Sequence, residues 1–156
     1  MTEHIKQELL APVSGKCIPV SQAEHAELRN KTLGDGIAIY PESGAIHAPC
    51  DGKVTEISAT NDTIKFISDD GLELILQMGM DTHELGGQGY RILVQTGHRI
   101  RRAQKLATMN IDMIENEGYD ITVALLISNA QEAGTIKTIR GDVNGGKDVV
   151  LKYAKA

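Results

Sequence analysis

The residues best suited to chemistry lie at the end of one apolar run. The run covers residues 72–76, is broken only by Glu73, and ends at Gln77. A Met-Gly-Met step then leads into Asp81 and a glycine-rich turn that reaches Tyr90. This pattern predicts a buried strand that delivers one polar side chain to a surface site. The group delivered is an amide, whose nitrogen lone pair is delocalised into the carbonyl, so it is a hydrogen-bonding group and not a nucleophile.

The histidines and cysteines do not form a recognisable metal or catalytic motif. Neither an H-x-H nor an H-x-x-x-H spacing occurs among the five histidines. His47 and Cys50 have a two-residue gap that a metal site could use, but a second ligand pair is missing, and we interpret them as a surface histidine beside a buried thiol. We therefore expect no metal and no cofactor. The histidines are His4, His25, His47, His83 and His98.

Two other motifs have structural interpretations. Residues 141–147 match the first seven places of the phosphate loop G-x-x-x-x-G-K, but Asp148 stands where Mg²⁺ binding needs Ser or Thr. We therefore predict a hairpin turn at residues 144–146 between the last two strands. The basic run at residues 98–105 is interpreted as a solvated turn that joins two strands, with contact to an acidic protein, a phosphate or a nucleic acid as the alternative.

Composition limits the class of protein and its partners. The 156 residues suffice for one hydrophobic core, and we expect a single domain over residues 1–156. The chain has no Trp and one Phe, and its formal charge is -5, so we expect no nucleic-acid partner. It has no window of about 18 apolar residues and no signal-peptide pattern. We therefore expect a cytoplasmic protein without direct membrane insertion, in which Cys17 and Cys50 are reduced thiols.

The elements that position the chemical groups are predicted to be mostly strands. Short apolar or β-branched runs, closely punctuated by glycine, predict an all-β sandwich or barrel. Ser21 and Glu24 fit a capping box that opens a short helix to Leu28. Residues 111–117 predict a second helix, and residues 82–85 predict one further turn. The eleven predicted strand runs cover residues 9–13, 18–20, 36–40, 52–57, 63–67, 72–78, 90–94, 106–109, 121–127, 135–139 and 149–153.

One short segment occurs twice in the chain. The sequence APVSGK at residues 11–16 recurs as APCDGK at residues 48–53. In each copy a proline fixes the entry to a strand without needing a ladder donor, and a glycine permits a tight turn. We therefore expect two structurally similar β-units.

Five segments, taken together, resemble one protein family. They are APVSGKC at 11–17, GDGIAIYP at 34–41, APCDGKV at 48–54, GLELILQMGMDTHELGGQGY at 71–90 and ISN at 127–129. In this order and spacing they resemble the glucose-type IIA component of the bacterial phosphoenolpyruvate-dependent sugar phosphotransferase system, over about residues 8–152. The resemblance implies a flattened barrel or sandwich with a duplicated hybrid motif. It also implies a phosphoryl carrier that acts between the histidine-phosphorylated carrier protein and a IIB domain in sugar uptake.

The resemblance also assigns the chemical positions. In the family pattern a phosphoryl-accepting histidine precedes the segment that corresponds to residues 78–82, and a supporting histidine follows a Thr-Asn pair. Here Gln77 takes the first position, and Asp62, after Thr60 and Asn61, takes the second. Both histidines are replaced, so neither histidine of the family is intact. In the family, apolar and aromatic residues ring the site and dock partner proteins, whereas the corresponding shell here, which includes Ser58, Ala59, Leu76 and Met78, is apolar without aromatic residues. The resemblance implies a partner-binding surface that includes Thr60, Asp62, Gln77, Met78 and Asp81.

Loss of both histidines on an intact scaffold predicts a phosphotransfer-deficient relative. We expect it to bind proteins of the phosphotransferase system or a regulatory target, with a membrane permease among the candidates. Two alternatives stay open. Asp62 or a repositioned His83 could serve as an unconventional phosphoryl acceptor, which leaves enzymatic activity an open question, or Asp62 and Gln77 could bind a small polar molecule. Met78 could instead fill the core, and Asp81 could instead close the turn that follows it.

Overall fold

The chain is built almost entirely from short strands. A computed structural model describes residues 5–155, and His4 lies outside this range. The strands within it are β1 (Ile5–Leu10), β2 (Gly15–Pro19), β3 (Asp35–Pro41), β4 (Ala45–His47), β5 (Gly52–Ile57), β6 (Thr63–Ser68), β7 (Glu73–Met80), β8 (Tyr90–Ile92), β9 (Arg99–Ile100), β10 (Lys105–Met109), β11 (Asp120–Ile127), β12 (Ile136–Thr138), β13 (Gly141–Val143) and β14 (Val149–Lys155). The helices are α1 (Ala26–Arg29) and α2 (Ile111–Asn116), and turns of 3₁₀ helix occupy Val20–Gln22, Thr82–Leu85 and Ala130–Ala133.

The strands form a flattened sandwich of one large sheet and two small ones. The large sheet has the order β13-β2-β3-β11-β7-β6-β5-β9, and the small sheets have the orders β1-β14-β12 and β4-β10-β8. The large sheet runs from an edge at β13 to an edge at β9, so it is open and does not form a closed barrel. The predicted all-β class is therefore confirmed, in its sandwich form.

The large sheet separates two hydrophobic clusters, and its central strand β7 contributes to both. Leu76 and Met78 lie in the main core, whereas Ile75 and Met80 lie in a smaller cluster. Because side chains alternate along a strand, Gln77 lies on the same face as Ile75. We call this side of the sheet the outer face. The 3₁₀ turn at Val20–Gln22 and α1 pack against it.

The two copies of the repeated segment occupy equivalent places in the large sheet. Each copy leads into the strand that lies second from an edge, β2 in one case and β5 in the other. A Cβ on Gly15 would lie 2.1 Å from the carbonyl oxygen of Tyr40 in β3, and one on Gly52 would lie 2.3 Å from that of Ile67 in β6. Glycine is therefore needed in both copies because the neighbouring backbone approaches so closely.

The helix predicted from the capping box is wrong in its start. Ser21 lies in a 3₁₀ turn, the backbone is extended at Ala23, and α1 begins only after His25. The imidazole of His25 bonds to Asp120 instead of capping α1. Ala23 and Leu28 are both buried in the smaller cluster on the outer face.

The second predicted helix and the predicted turn are confirmed. α2 begins after Asn110, whose side chain accepts a hydrogen bond from the backbone N–H of Met113 at 3.1 Å. The turn at Thr82–Leu85 is a 3₁₀ turn. The longest α-helix within residues 5–155 has 6 residues, and no helix in that range could span a membrane.

The hairpin predicted at residues 144–146 is wrong. β13 pairs with β2, whereas β14 pairs with β1 and β12, so the two last strands belong to different sheets. The turn between them is closed locally, because Asp148 Oδ2 accepts a hydrogen bond from the backbone N–H of Asn144 at 2.6 Å. The segment carries the chain from one layer of the sandwich to the other.

His47 and Cys50 are both half-buried. His47 Nδ1 lies 3.0 Å from the carbonyl oxygen of Ala103. Cys50 is a free thiol, and burial raises its pKa to about 12. The thiol is therefore uncharged at neutral pH and is a poor nucleophile.

Candidate functional site

β7 holds Gln77 between two neighbouring strands on the outer face. Gln77 pairs with Thr63 of β6 and with Ala124 of β11, and its side chain is half-buried. Its Nε2 donates to the carbonyl oxygen of Gly79 at 3.4 Å and lies 3.9 Å from Met80 Sδ. The amide therefore lies along its own strand, toward Gly79 and Met80. Its Oε1 is the atom left to accept a hydrogen bond from a partner.

Gly79 sharply bends the end of β7. Its φ is 94°, in the region that favours glycine, and a Cβ there would lie 2.8 Å from both Thr82 Cγ2 and Tyr90 Oη. Tyr90 Oη donates to the carbonyl oxygen of Met78 at 2.5 Å. Burial raises the pKa of Tyr90 to about 12, so this hydroxyl stays a donor at neutral pH. The predicted shell without aromatic residues is thus wrong, because Tyr90 closes one side of the site.

Asp62 lies in the turn between β5 and β6, and three hydroxyl groups hold its carboxylate. Oδ1 accepts from Ser58 Oγ at 2.9 Å and from Thr60 Oγ1 at 2.8 Å. Oδ2 accepts from Thr82 Oγ1 at 3.1 Å. Thr60 therefore acts on the site through Asp62. The carboxylate is fixed in one orientation with both oxygens engaged.

The backbone brings Asp62 next to the strand that carries Gln77. The N–H of Met78 donates to the carbonyl oxygen of Asp62 at 2.8 Å, one step along the ladder from the pair of Thr63 and Gln77. Asp62, directly before β6, therefore lies beside the strand that carries Gln77. Only 15 positions separate them in the sequence, and the turn between β6 and β7 returns the chain beside itself.

The turn after β7 buries Thr82 against Asp62 and leaves His83 exposed. Asp81 has φ 58° and ψ 26°, a left-handed conformation, and its side chain is exposed. This conformation turns Thr82 inward, where it is 0% exposed and bonds to Asp62. His83 is exposed on the 3₁₀ turn. Sequence reasoning missed Thr82 as a site residue, although a hydroxyl directly after the assigned Asp81 was an available signal.

Met78 does not belong to the surface of the site. Its side chain is 0% exposed and packs in the main core, as does that of Leu76. A partner could reach neither side chain without unfolding β7. The prediction of Met78 as a binding residue is corrected by this burial, and its alternative as a core-filling residue fits the structure.

The groups that the structure brings together here are an amide and two carboxylates. Gln77 offers an amide, and Asp62 is an acceptor already surrounded by donors. Asp81 adds an exposed carboxylate at the rim. Such a surface recognises partners through hydrogen bonds to its amide and carboxylates.

Comparison with known proteins gives one consistent result. Residues 7–133 match the model of the family described as phosphoenolpyruvate-dependent sugar phosphotransferase system, EIIA 1. The chain is 30% identical over 151 residues to the PTS system glucose-specific EIIA component of Haemophilus influenzae, a match that covers 97% of this chain and 91% of that protein. Glucose permease IIA from Mycoplasma capricolum has a similar structure, with a TM-score of 0.88, 28% identity, and coverage of 95% of this chain and 96% of that one.

A further relative is much longer than this chain. The PTS system glucoside-specific EIICBA component of Staphylococcus carnosus is 34% identical over 143 residues. The match covers 92% of this chain but only 21% of that protein. The chain therefore spans about a fifth of the length of this relative.

Proposed function

This chain belongs to the EIIA 1 family of the phosphoenolpyruvate-dependent sugar phosphotransferase system, and we propose that it is a phosphotransfer-deficient member that binds other proteins. The role of the family is that of a IIA phosphoryl carrier. The proposed partner is a protein of the phosphotransferase system or a regulatory target, bound through the surface around Asp62 and Gln77. A cytoplasmic location is part of the proposal.

The observation that carries the proposal is the identity and geometry of Gln77. A phosphoryl acceptor needs a lone pair that can attack phosphorus, and an amide nitrogen does not supply one. The Nε2 of Gln77 also donates to Gly79 of its own strand. This position can therefore contact a partner protein but cannot take a phosphoryl group from it.

The contacts of Asp62 support binding over an acyl phosphate at this residue. Phosphorylation of either oxygen would displace a hydroxyl donor, because Oδ1 is held by Ser58 and Thr60 and Oδ2 by Thr82. The carboxylate would also repel the incoming phosphoryl group, since both are negatively charged. Asp62 is better placed to orient the surface than to react.

The relatives indicate which partners to test. The match to a fifth of an EIICBA component supports testing a IIB or permease portion of the same system alongside the small carrier protein. The exposed carboxylate of Asp81 and the half-buried amide of Gln77 offer polar contacts to such a partner. Its docking would bury both groups.

A phosphorylation and binding assay tests both parts of the proposal. The purified chain is incubated with phosphoenolpyruvate, the general enzyme and the carrier protein, and its mass is measured without acid treatment. We expect an unchanged mass, together with backbone amide shifts around Asp62 and Gln77 when the carrier or a IIB protein is added. A stable phosphoryl group on the wild-type chain would overturn the deficiency. Absence of amide shifts with every component would overturn the docking.

A pair of double variants tests the assignment of the two positions. Gln77→His with Asp62→His restores two imidazoles on adjacent strands, and we expect this variant to gain the phosphoryl group. Gln77→Asn with Asp62→Asn is the matched control, since it changes the same positions without a nucleophile, and we expect it to stay unlabelled. Labelling of both variants, or of neither, would show that these positions are not the ones assigned here.

A further inference from the structure

The connection between β2 and β3 lies across the outer face of the large sheet. It covers residues 20–33 and contains the 3₁₀ turn at Val20–Gln22 and α1. In the described chain its backbone hydrogen bonds run within the connection, as from the N–H of Arg29 to the carbonyl oxygen of His25 at 3.0 Å. β2 and β3 pair with each other directly, with Pro19 opposite Ile37. The ladder of the sheet therefore does not depend on this connection.

A small apolar contact holds the connection to the sheet. Its buried side chains in the smaller cluster are those of Val20, Ala23 and Leu28. The main core lies on the other side of the large sheet and, among the described residues, includes none of residues 20–33. Loss of the smaller contact would therefore leave the main core covered. The buried residues of the sheet that complete the smaller cluster are Ala38, Ile75, Met80, Ala124 and Leu126.

A histidine–aspartate pair ties the connection to β11. His25 Nε2 lies 2.7 Å from Asp120 Oδ2. Thr122 donates to Asp120 Oδ1 from its backbone N–H at 2.8 Å and from its hydroxyl at 2.6 Å, and so fixes the carboxylate. Burial alone raises the pKa of Asp120, but the hydrogen bonds from Thr122 and His25 outweigh it and lower the pKa. The imidazole is therefore held by an ionised carboxylate at neutral pH.

The other polar ties of the connection are more exposed. Arg140 donates to Gln22 Oε1, and both residues are exposed. Lys31 Nζ lies 3.4 Å from Asp35 Oδ2, where the chain enters β3. Exposed polar pairs stabilise a fold little, because water competes for both partners. The half-buried contact of His25 with Asp120 is therefore the principal polar tie.

The sheet surface beneath the connection adjoins Gln77. Ala124 of β11 pairs with Gln77 on one side and with Ala38 on the other. Ile75 lies two residues before Gln77 on the same face of β7. Gln77 Nε2 lies 3.9 Å from Met80 Sδ. Displacement of the connection would thus join these apolar side chains and Gln77 into one surface.

We propose that residues 20–33 form a lid that opens as one unit while the sheet stays folded, with the contact between His25 and Asp120 as its latch. The closed lid covers the apolar side chains of the smaller cluster, and the open lid exposes them beside Gln77. The lid thus sets how much apolar surface the outer face presents there. Its opening does not depend on a partner that docks at Gln77, so either proposal can fail without the other.

Hydrogen exchange of the full chain, followed by NMR at several urea concentrations below the unfolding transition, tests whether the lid is one unit. The amides of Ala23, Arg29, Asn30 and Thr32 are hydrogen-bonded within the lid and so report its opening. We expect them to share one opening equilibrium constant, about 100-fold or more above that of amides in β7 and β11. Its urea dependence should lie between zero and that of global unfolding, because opening exposes part of the buried surface.

Two results of this experiment would overturn the proposal. Exchange of the lid amides without any urea dependence would mean that the segment frays residue by residue. Exchange with the same equilibrium constant as the amides of β7 and β11 would mean that the segment opens only when the whole fold unfolds.

A destabilising change far from the lid separates local opening from global unfolding. Leu106→Ala empties a fully buried site of β10 in the main core, and we expect exchange in β7 and β11 to rise about 30-fold or more. The lid amides should stay within about twofold of wild type, since the open-lid state keeps the contacts of Leu106. Ile46→Val is the milder second variant, with an expected rise of about two- to tenfold in the sheet. Equal acceleration of lid and sheet amides in these variants would overturn the proposal.

A change at the latch tests the role of His25. His25→Ala removes the imidazole but no helix cap, because the side chain makes no capping hydrogen bond. We expect the lid amides to exchange about five- to tenfold faster. Glu24→Ala is the matched control, an exposed change one residue earlier in the lid, and should stay within about twofold of wild type. No rise in His25→Ala, or an equal rise in Glu24→Ala, would overturn the assignment of the latch.

Discussion

Asp62 and Asp120 are both half-buried, and the carboxylate of each accepts three hydrogen bonds from the protein. Asp120 is held by His25 and by the backbone N–H and hydroxyl of Thr122. The donors differ in kind. Those of Asp62 are hydroxyls of Ser58, Thr60 and Thr82, which are uncharged and turned inward. One donor of Asp120 is the imidazole of His25, whose second nitrogen remains able to bind a ligand.

The two carboxylates therefore differ in what they hold: Asp62 holds hydroxyl groups of its own surroundings, whereas Asp120 holds the imidazole of His25. All three hydrogen bonds named for the Asp62 carboxylate come from the protein, so this side chain ties the turn before β6 to the segment after β7. At Asp120 the carboxylate holds the imidazole of His25 through Nε2 at 2.7 Å. The carboxylate of Asp62 is thus engaged by three hydroxyls of the protein, whereas the pair of His25 and Asp120 leaves the second imidazole nitrogen for another partner.

The largest expected effect is the loss of unfolding free energy when a buried side chain near Asp62 or near His25 is truncated. Met78→Ala empties a fully buried site in the main core beside Asp62, and we expect it to lower the free energy of unfolding by about 3 to 5 kcal/mol. Leu28→Ala lies in the smaller cluster on the outer face, where the four-residue helix α1 can settle into the space, and we expect a loss of about 2 kcal/mol. Urea denaturation of both variants measures the difference. Equal losses would show that the two centres rest on equally rigid packing.

The next test removes one hydroxyl donor from each carboxylate. Thr82→Val keeps the shape of a side chain that is 0% exposed but leaves Asp62 Oδ2 without this donor, and we expect a loss of about 1 to 3 kcal/mol. Thr122→Val is the matched change beside Asp120, where water can replace the hydroxyl because the residue is half-buried. We expect a loss below about 1 kcal/mol there. A larger loss in Thr122→Val than in Thr82→Val would reverse the comparison.

The sequence predicted the long strands well because their patterns are local. The run predicted at residues 72–78 lies within β7 except for its first residue, and residues 121–127 lie within β11; in both, a largely apolar run marks a central strand. The two- and three-residue strands β4, β9 and β13 were missed, since so short a segment has no measurable periodicity. The hairpin at residues 144–146 was wrong because strand partners depend on the arrangement of sheets and not on the turn residues alone.

The candidate site was only partly predictable for the same reason. The structure places Asp62 directly before β6 and beside β7, but the burial of Met78 was not predictable, because it depends on the face that β7 turns to the core. The pair of His25 and Asp120 could not be found from the sequence. The two residues are 95 positions apart, and only the packing of α1 against β11 brings them together.

The smallest expected effect is the pH dependence of the Asp120 centre. The lowered pKa means that this carboxylate stabilises the fold at pH values above its unfolded pKa, near 3.8, and that the contribution is lost as the pH falls through the folded value. Since about a third of the side chain is exposed, solvent screening keeps the contribution below about 1 kcal/mol.

Urea denaturation of Asp120→Asn and wild type at about pH 7 and about pH 3 measures this contribution. We expect the variant to be less stable than wild type at the higher pH and the two to converge at the lower one. Asp142→Asn, an exposed change on the edge strand β13, is the control for loss of a negative charge and should show a smaller difference at both values. A stability difference for Asp120→Asn that is the same at both pH values would mean that the side chain acts through packing, and the contrast with Asp62 would then rest on the imidazole of His25 alone.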